Sequence, residues 1–265
     1  MSFCLKNLSM IKDIKQHWDY VHTDQSRSFS RLASFFFGRQ NYEFFDLCKK
    51  YLTNKWYANI FEVWCAPGNF LIHFYKKYWY TPYGIEYSKQ GYDKTLANMK
   101  ANKTGWEILY WDFFDESFLA AHKEHYDVVM SLWFIEHYDD PSQAIRQHFD
   151  LVKKGGTVII TIPNLHGLNK VFVPQNILDI HNIGIMNEHT LRDLFSPYDV
   201  LCIQRYWWPV NVGLYFYKNR LLEYSRLACF AFQRIVFDPI MILLYKLGVK
   251  CNGISAPQWI VICQK

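Results

Sequence analysis

Short apolar runs alternate with amphipathic segments through the middle of the chain, over residues 56–165. The apolar runs end at glycine, proline or charged residues, as buried strands do, whereas the amphipathic segments repeat apolar residues at helical spacing. Strands are predicted at residues 60–64, 83–86, 107–110, 126–132 and 157–163, and helices from residue 69 and over 90–99 and 141–152. This alternation predicts an α/β fold, a mostly parallel sheet with helices on both faces.

Apolar runs later in the chain extend this pattern. Residues 200–207 and 258–263 are predicted as two further strands, which would complete a seven-stranded sheet. Residues 213–250, between them, form an apolar and aromatic segment of helical character that the sheet does not need. We therefore expect a helical insertion before the last strand.

The whole chain, residues 1–265, is expected to form a single domain, because no repeat or low-complexity linker divides it. Residues 1–55 are helical in pattern and are expected to form a cap over the ligand. Residues 56–165 form the ligand-binding core, and residues 166–265 form a second half on the acceptor side that carries the insertion.

Two helices carry clear end signals. Asp140 can cap the helix predicted from Pro141, since proline suits the first helical position. The segment at 153–156 (KKGG) offers a basic end followed by a glycine stop. Asn187 can cap a later helix that places Leu191 and Phe195 on one face.

The amino-acid composition excludes several classes of protein. A hydrophobic content of 51% supports a large core, and a net charge of +5 from scattered basic residues does not indicate a nucleic-acid surface. The seven cysteines are odd in number and widely spaced, which indicates neither a disulfide framework nor a zinc knuckle. We expect a reducing, cytoplasmic setting, with neither a secretion signal nor a membrane-spanning segment.

The turn after the first predicted strand is the first candidate site. Residues 61–70 (FEVWCAPGNF) form a strand, a small-residue turn and a helix start, where α/β proteins bind ligands. A pyrophosphate favours a turn with several glycines, whereas this turn has only Gly68 and the acidic Glu62 beside it. Glu62 would repel phosphate and attract a cation, so the sulfonium and ammonium of S-adenosylmethionine suit this turn better than NAD or ATP.

The ends of the next two strands supply further groups. Glu86 ends the second strand, where a carboxylate can accept hydrogen bonds from the ribose hydroxyls of a nucleoside. Asp112 follows the third strand and can accept from an adenine amino group, with Phe113 on the ring; the alternative for Asp112 is a helix cap. The complete expected cofactor-binding set is Glu62, Trp64, Cys65, Ala66, Gly68, Glu86, Tyr87, Asp112, Phe113, Ser131, Leu132 and Trp133.

A longer pattern follows these residues. It consists of 126–137 (YDVVMSLWFIEH), 139–141 (DDP), 151–157 (LVKKGGT) and 162–164 (IPN). In this order and spacing, the chain resembles a class I S-adenosylmethionine-dependent methyltransferase of the small-molecule type over roughly residues 55–165. The resemblance implies a Rossmann-like fold, S-adenosylmethionine as the cofactor and methyl transfer to a small acceptor, most readily to oxygen.

The first motif of that family departs from its usual form here. The family carries an acid followed by three alternating glycines, and Trp64 and Ala66 replace the first two, leaving Gly68. Because of this departure, the alternative function is that of a pseudoenzyme or scaffold subunit. The Ala66-Pro67-Gly68 turn also resembles RNA 2′-O-methyltransferases, but Leu132 stands near the place of their catalytic Asp, so an RNA acceptor is the second choice.

The Glu-His pair of the resemblance supplies candidate catalytic residues. His137 can act as general base toward a hydroxyl, since imidazole titrates near neutrality. His181 resembles a recurring histidine of the family and is the second candidate base. The alternative is that Glu136 and His137 only fix the loop after the fourth strand. A metal site like that of the ubiquinone-pathway O-methyltransferases would need a carboxylate one helical turn before Glu136, where Trp133 stands, so no metal is expected.

The insertion at 213–250 is expected to form the acceptor-side lid together with the N-terminal helices. Its bulky apolar residues must be covered. There are three alternative coverings: the protein's own site, a second copy in a homodimer, or peripheral contact with a membrane. A hydrophobic or lipid-linked acceptor fits the first and the third. The expected partners are therefore small-molecule, glycan or lipid-linked acceptors, with nucleic acid disfavoured.

Overall fold

The computed structural model describes six main stretches of the chain and a few residues between them. They are residues 41–52, 57–104, 107–167, 175–206, 238–249 and 258–265, with 37–38, 169–170, 173, 232, 235–236 and 256. The described helices are α1 (Tyr42–Tyr51), α2 (Asn69–Tyr78), α3 (Lys89–Ala101), α4 (Glu116–His122), α5 (Ser142–Leu151), α6 (Gln175–Leu178), α7 (Glu188–Phe195) and α8 (Asp238–Lys246). Short 3₁₀ turns occupy Ile135–His137 and Ile183–Ile185.

Seven strands form one sheet. They are β1 (Asn59–Val63), β2 (Thr81–Glu86), β3 (Ile108–Tyr110), β4 (Tyr126–Leu132), β5 (Val152–Pro163), β6 (Asp199–Tyr206) and β7 (Gln258–Gln264). Their order across the sheet is β3-β2-β1-β4-β5-β7-β6, and only β7 runs antiparallel to its neighbours β5 and β6. The predicted fold class, a mostly parallel seven-stranded α/β sheet, is confirmed.

The strand order places the ligand crevice. The chain moves outward from β1 through β2 to β3 and then returns to pair β4 with the other edge of β1. Ligands of such sheets bind beyond the carboxyl ends of the strands at this reversal. The site is therefore expected above the ends of β1 and β4, where Val63 pairs with Ser131.

Both faces of the sheet are covered. Alternate strand residues point to opposite faces, so Phe61 and Val129 join a core cluster with α5 and α7, while Ile60 and Val128 join a second cluster with α1 and α2. β1, β2, β4, β5 and β7 are mostly buried on both faces, which explains why they appear in the sequence as nearly continuous apolar runs.

The end of α5 differs from the prediction. The KKGG segment was expected to stop the helix, yet Val152 already pairs with Tyr126, and β5 starts there. Gly155 N donates to Lys265 O (2.7 Å) and Lys265 N donates to Gly156 O (3.0 Å). These two backbone hydrogen bonds hold the KKGG segment in the sheet. The predicted caps are present: Asp140 accepts from Ser142 N and Asn187 accepts from Thr190 N.

Helix α1 packs against α2, and its Phe44 meets Phe70 just after the ligand turn, with ring centroids 5.3 Å apart. Phe44 and Phe45 pack against Phe74 of α2, and Phe44 also meets Tyr206 of β6, which places α1 on one face of the sheet. The expectation that residues 1–55 cap the ligand stays a prediction for residues 41–52. The rest of the expected cap, before residue 37, lies outside the described residues.

Helix α8 is the main described part of the predicted insertion. Tyr245 Oη donates to Asp46 Oδ2 of α1 (2.8 Å), and its ring meets Tyr42 edge-on. Ile240, Leu243 and other apolar side chains of this segment are exposed. The remainder of the lid, including residues 213–231, lies outside the described part of the chain. Among the helices that the structure describes, none has the length and apolar character needed to cross a bilayer.

Candidate active site

The turn after β1 keeps the backbone conformation of a glycine turn. Trp64 has φ 55° and Gly68 has φ 80°, so both adopt the left-handed region that favours glycine. Cys65 N donates to Ile85 O of β2, and Gly68 N donates to Cys65 O. Trp64 therefore has the backbone conformation that the glycine it replaces would favour, with an indole side chain added there.

Helix α3 supports this turn from behind. Asn98 Nδ2 donates to Pro67 O (2.8 Å) and to Asn69 Oδ1 (2.9 Å). A side chain at Gly68 would meet Thr95 Cγ2 at 3.0 Å, a tight contact, and the positive φ angle there also favours glycine. Asn98 was not among the predicted residues, because nothing local marks a contact from a helix to a distant turn.

Glu86 is oriented toward the turn by two backbone donors. Its Oε2 accepts from Ala66 N (3.2 Å) and its Oε1 accepts from Ser88 N (2.9 Å). A carboxylate oxygen can accept more than one hydrogen bond, which suits the ribose hydroxyls expected there. Gly91 makes the approach feasible, since a Cβ there would lie 3.0 Å from Glu86 Cδ.

Glu62 and Cys65 lie beneath the turn and are buried. Burial, and secondarily the negative charge of Glu86, raise the pKa of Glu62 well above its ordinary value. Burial raises the pKa of the Cys65 thiol well above its ordinary value, and the charges of Glu62 and Glu86 act in the same direction. A nearby cation would offset the cost of ionising Glu62, and the attraction of Glu62 for a cationic cofactor stays a prediction.

The segment after β3 differs from its prediction at Phe113. Its side chain is only 2% exposed and packs against Phe134 and His148, with centroids at 5.3 and 5.2 Å. Phe113 is therefore a core residue, which corrects the expectation that it lies on an adenine ring. Asp112 is exposed, and its Oδ1 accepts from Phe114 N (3.0 Å), so it shapes the turn. The next residue, Phe114, is half-buried and was not among the site residues predicted from the sequence.

Three more predicted residues lie at the end of β4 and directly after it. Ser131 is buried, and among the described residues its hydroxyl oxygen has no hydrogen-bond partner. Leu132 packs into the cluster on the α1 side of the sheet. Trp133 has φ 60°, and its Nε1 donates to Gln258 Oε1 of β7 (2.9 Å). Tyr87, beyond β2, is half-buried.

The indole of Trp64 connects the turn after β1 to the turn after β4. It meets Phe134 edge-on with ring centroids 4.8 Å apart. It also stacks on His137, with centroids 5.7 Å apart and planes at 29°. The side chain that replaces a glycine is therefore directed toward the predicted catalytic pair.

Glu136, His137 and His181 form a compact group. One potential ligand atom from each lies within 4.8 Å of the others, and the two imidazole centroids are 4.7 Å apart. Glu136 and His137 are fully buried, whereas His181 is half-buried. Burial raises the pKa of Glu136 well above its ordinary value.

Asn182 holds the two loops of this group together. Its backbone N–H donates to Glu136 O (2.6 Å), and its side-chain Nδ2 donates to Tyr138 O (3.1 Å) and Asp139 O (3.0 Å). These bonds fix His181, the adjacent residue, against the turn that carries His137. The sequence gives no local signal for Asn182, because its partners are far away along the chain.

Comparisons with known proteins agree with this arrangement. Residues 36–201, more than half of the chain, match the family described as methyltransferase domain. The ubiquinone biosynthesis O-methyltransferase of Salmonella enteritidis PT4 is 26% identical over 106 residues, which cover 40% of this chain and 44% of that protein. The chain thus matches less than half the length of this curated relative.

Solved structures of low sequence identity share the fold. The phosphoethanolamine N-methyltransferase 2 of Haemonchus contortus, in complex with phosphomonomethylethanolamine and S-adenosylhomocysteine, has a TM-score of 0.59 at 14% identity, covering 98% of this chain and 61% of that one. A putative sarcosine dimethylglycine methyltransferase from Galdieria sulphuraria has a TM-score of 0.56 at 13% identity, covering 96% and 98%. These likenesses confirm the Rossmann-like fold predicted from the sequence.

Proposed function

The chain belongs to the methyltransferase domain family, a class I S-adenosylmethionine-dependent group, and from that premise we propose that it transfers a methyl group from S-adenosylmethionine to an oxygen of a small-molecule, glycan or lipid-linked acceptor. The observation that carries the proposal is the stacking of Trp64 on His137. This contact joins the turn expected to bind the cofactor to the only group of Glu and His side chains clustered at metal-ligand distances in the described chain.

The cofactor is proposed to lie over the turn at 64–68. Glu86 would accept hydrogen bonds from the ribose hydroxyls, because two backbone donors already orient its carboxylate beside the turn. Asp112 and Tyr87 would bound the adenosine, and Glu62 would attract the positive charges of the methionine part. Ser131, Leu132 and Trp133 would form the floor between cofactor and acceptor.

Methyl transfer needs an acceptor oxygen in line with the sulfonium and a destination for its proton. The oxygen lone pair forms the new O–CH₃ bond as the S–CH₃ bond breaks, leaving S-adenosylhomocysteine. Positioning supplies much of the rate in such reactions, and a base or cation supplies the rest. His181 is half-buried and can reach an acceptor, whereas the fully buried His137 is better placed to support it.

The choice of an oxygen acceptor rests on chemistry and on one relative. The curated relative is named an O-methyltransferase, while a structural neighbour is named an N-methyltransferase. A hydroxyl must lose a proton as it attacks, and the clustered imidazoles suit that need. Exposed apolar residues of α8 support a hydrophobic or lipid-linked acceptor. The four described free cysteines, all buried, support the expected reducing compartment.

The test follows a labelled methyl group. The protein is incubated with S-[methyl-³H]adenosylmethionine and separate pools of hydroxyl-bearing lipids, glycans, amines and RNA. The proposal expects label in a hydroxyl-bearing pool, in a bond that resists mild alkali as an ether does. Label only in amines would contradict the oxygen acceptor, and label in RNA would favour the alternative acceptor. Absence of cofactor binding would favour a scaffold, the alternative that Trp64 and Ala66 keep open.

A further inference from the structure

A buried glutamine lies at the edge of the sheet where the parallel strands end. Gln258 begins β7, and it pairs with Pro163, the last residue of β5, and with Tyr206, the last residue of β6. Ligands of open α/β sheets bind beyond this edge. The side chain of Gln258 is only 7% exposed, and the residue was not among the site residues predicted from the sequence.

Two hydrogen-bond donors fix the orientation of the Gln258 carboxamide. Its Oε1 accepts from Trp133 Nε1 (2.9 Å) and from Tyr206 Oη (2.7 Å). An indole N–H can only donate, so the amide atom that faces Trp133 must be the oxygen and not the nitrogen. The planar carboxamide therefore turns its Nε2 away from both partners.

This orientation leaves Gln258 Nε2 available to a ligand. Nε2 forms no hydrogen bond with any described residue. It is also not enclosed, in contrast to the hydroxyl oxygen of Ser131, which is buried and has no partner among the described residues either. Binding sites orient their ligands by a few such polar groups in a mostly apolar lining. The two N–H donors of Nε2 are therefore suited to hold one acceptor atom of a ligand.

The position of Gln258 in the sheet favours the methyl acceptor over the cofactor. In the order β1-β4-β5-β7, Gln258 lies three strands from β1, which precedes the turn at 64–68. At about 4.8 Å for each strand, this separation is about 14 Å. Trp133 follows β4, between the two, and bonds directly to Gln258. Gln258 therefore lies on the side of the crevice away from the proposed cofactor position.

We propose that Gln258 Nε2 binds a carbonyl oxygen of the methyl acceptor, so that the acceptor is a hydroxyl compound that also carries a carbonyl group. This inference rests on the proposed function and narrows its substrate class. A carbonyl oxygen offers lone pairs to the two N–H donors, whereas an alkyl group or an ammonium offers none. The carbonyl would be held at Gln258 while the hydroxyl faces the sulfonium, and this second contact orients the acceptor. Trp133 and Tyr206 act as positioning residues, because they hold the carboxamide in this orientation.

The experiment observes the carboxamide directly, by NMR of the ¹⁵N-labelled full chain in the presence of S-adenosylhomocysteine. The Nε2 signal of Gln258 is identified by its absence in Gln258→Glu. Three phenols of one carbon skeleton serve as probes: the para-hydroxy derivatives of acetophenone, ethylbenzene and α-methylbenzylamine. We expect a saturable shift of the Nε2 signal with the ketone, and at least about tenfold weaker binding of the other two, which lack the carbonyl oxygen.

Gln258→Glu is also the test variant, because it keeps an oxygen for Trp133 and Tyr206 and replaces only the NH₂ group. The two donors favour the ionised carboxylate, so the variant presents a negative charge in place of the N–H donors. We expect binding of the ketone to fall about tenfold and binding of the amine to rise by a similar factor. The matched control is Gln264→Glu, the same change at the exposed far end of β7, which should bind all three probes as the parent does.

Circular dichroism verifies that both variants fold, and the shift of the parent signal requires no variant to be stable. Absence of a saturable Nε2 shift with the ketone, or the same order of probe affinities in Gln258→Glu as in the parent, overturns the carbonyl subsite. That result together with normal binding of S-adenosylmethionine leaves the proposed function intact. A saturable shift in a protein that binds no S-adenosylmethionine retains the subsite and refutes the proposed function, so the two failures are distinguishable.

Discussion

The indole ring of Trp64 stacks on the imidazole ring of His137, with ring centroids 5.7 Å apart and ring planes inclined by 29°. Trp64 belongs to the turn after β1 and His137 to the turn after β4, the two strands at the reversal of the sheet order. A residue that replaces a glycine of the first motif is therefore in direct contact with the Glu-His group.

Replacing Glu86 by Ala is expected to weaken the binding of S-adenosylmethionine at least about tenfold. Two charge-assisted hydrogen bonds to ribose, of about 1.5–3 kcal/mol each, would be lost. The measurement is isothermal titration with folded protein, and Glu116→Ala, an exposed carboxylate in the first turn of α4, is the control. Unchanged affinity in folded Glu86→Ala would remove this residue from the site.

Trp64→Gly is expected to leave cofactor binding intact or to improve it. The substitution suits the positive φ at this position, which costs a non-glycine residue about 1–2 kcal/mol, but it removes the packing of the indole on Phe134 and His137. Because the packing loss outweighs the relief of strain, we expect a lower melting temperature. Loss of cofactor binding in a folded Trp64→Gly protein would show that the indole itself contacts the ligand.

Replacement of either histidine of the group is expected to lower turnover by about 10²–10⁴-fold with little change in cofactor affinity. The reason is that His137 and His181 act on the acceptor proton, directly or through a bound cation. Turnover and affinity are measured separately for His137→Ala, His181→Ala and the exposed control His189→Ala. Undiminished turnover in both site variants would mean that positioning alone suffices.

Stability should depend on pH through Glu136. Its folded-state pKa is raised by burial, so its contribution to stability is complete below the ordinary pKa of about 4.3 and is lost as pH rises toward the folded value. Each pH unit in this window costs up to about 1.4 kcal/mol. Glu136→Gln should therefore gain stability relative to the parent between pH 5 and pH 8.

The measurement of this pH dependence is chemical denaturation in the presence of a chelator, so that no bound cation stabilises the carboxylate. The pKa of Glu62 is raised in the same direction, but Glu62 is present in both proteins and its effect cancels in the comparison. The same pH dependence in Glu136→Gln and the parent would show that Glu136 does not titrate out of its ordinary range.

The segment at 213–250 is predicted to form the acceptor-side lid. Replacing it by a short linker should preserve cofactor binding and abolish acceptor turnover, since the seven strands of the sheet lie outside it. Oligomeric state and liposome flotation, measured in parallel, show whether a second copy or a membrane covers its apolar side chains. Because α8 bonds to α1 through Tyr245 and Asp46, Tyr245→Phe is a milder variant. Loss of cofactor binding in the folded deletion protein would contradict the lid.

The sequence predicted the strands well because most are buried on both faces and form apolar runs. It failed where distant parts of the chain decide the outcome. The KKGG segment belongs to β5 because Lys265 forms backbone hydrogen bonds with Gly155 and Gly156. His181 lies close to Glu136 because the adjacent Asn182 donates a hydrogen bond to Glu136 O. Similarly, Phe113 and Phe114 are adjacent aromatics, and only packing against His148 shows which one is buried.

Titration of S-adenosylmethionine into the purified chain, into Glu86→Ala and into His181→Ala tests the central claim most directly. The account predicts binding near one ligand per chain for the parent, at least about tenfold weaker binding for Glu86→Ala, and nearly parental affinity for His181→Ala because that residue serves the acceptor. If the folded parent shows no binding at millimolar S-adenosylmethionine, the account is contradicted and this chain is a methyltransferase-like scaffold.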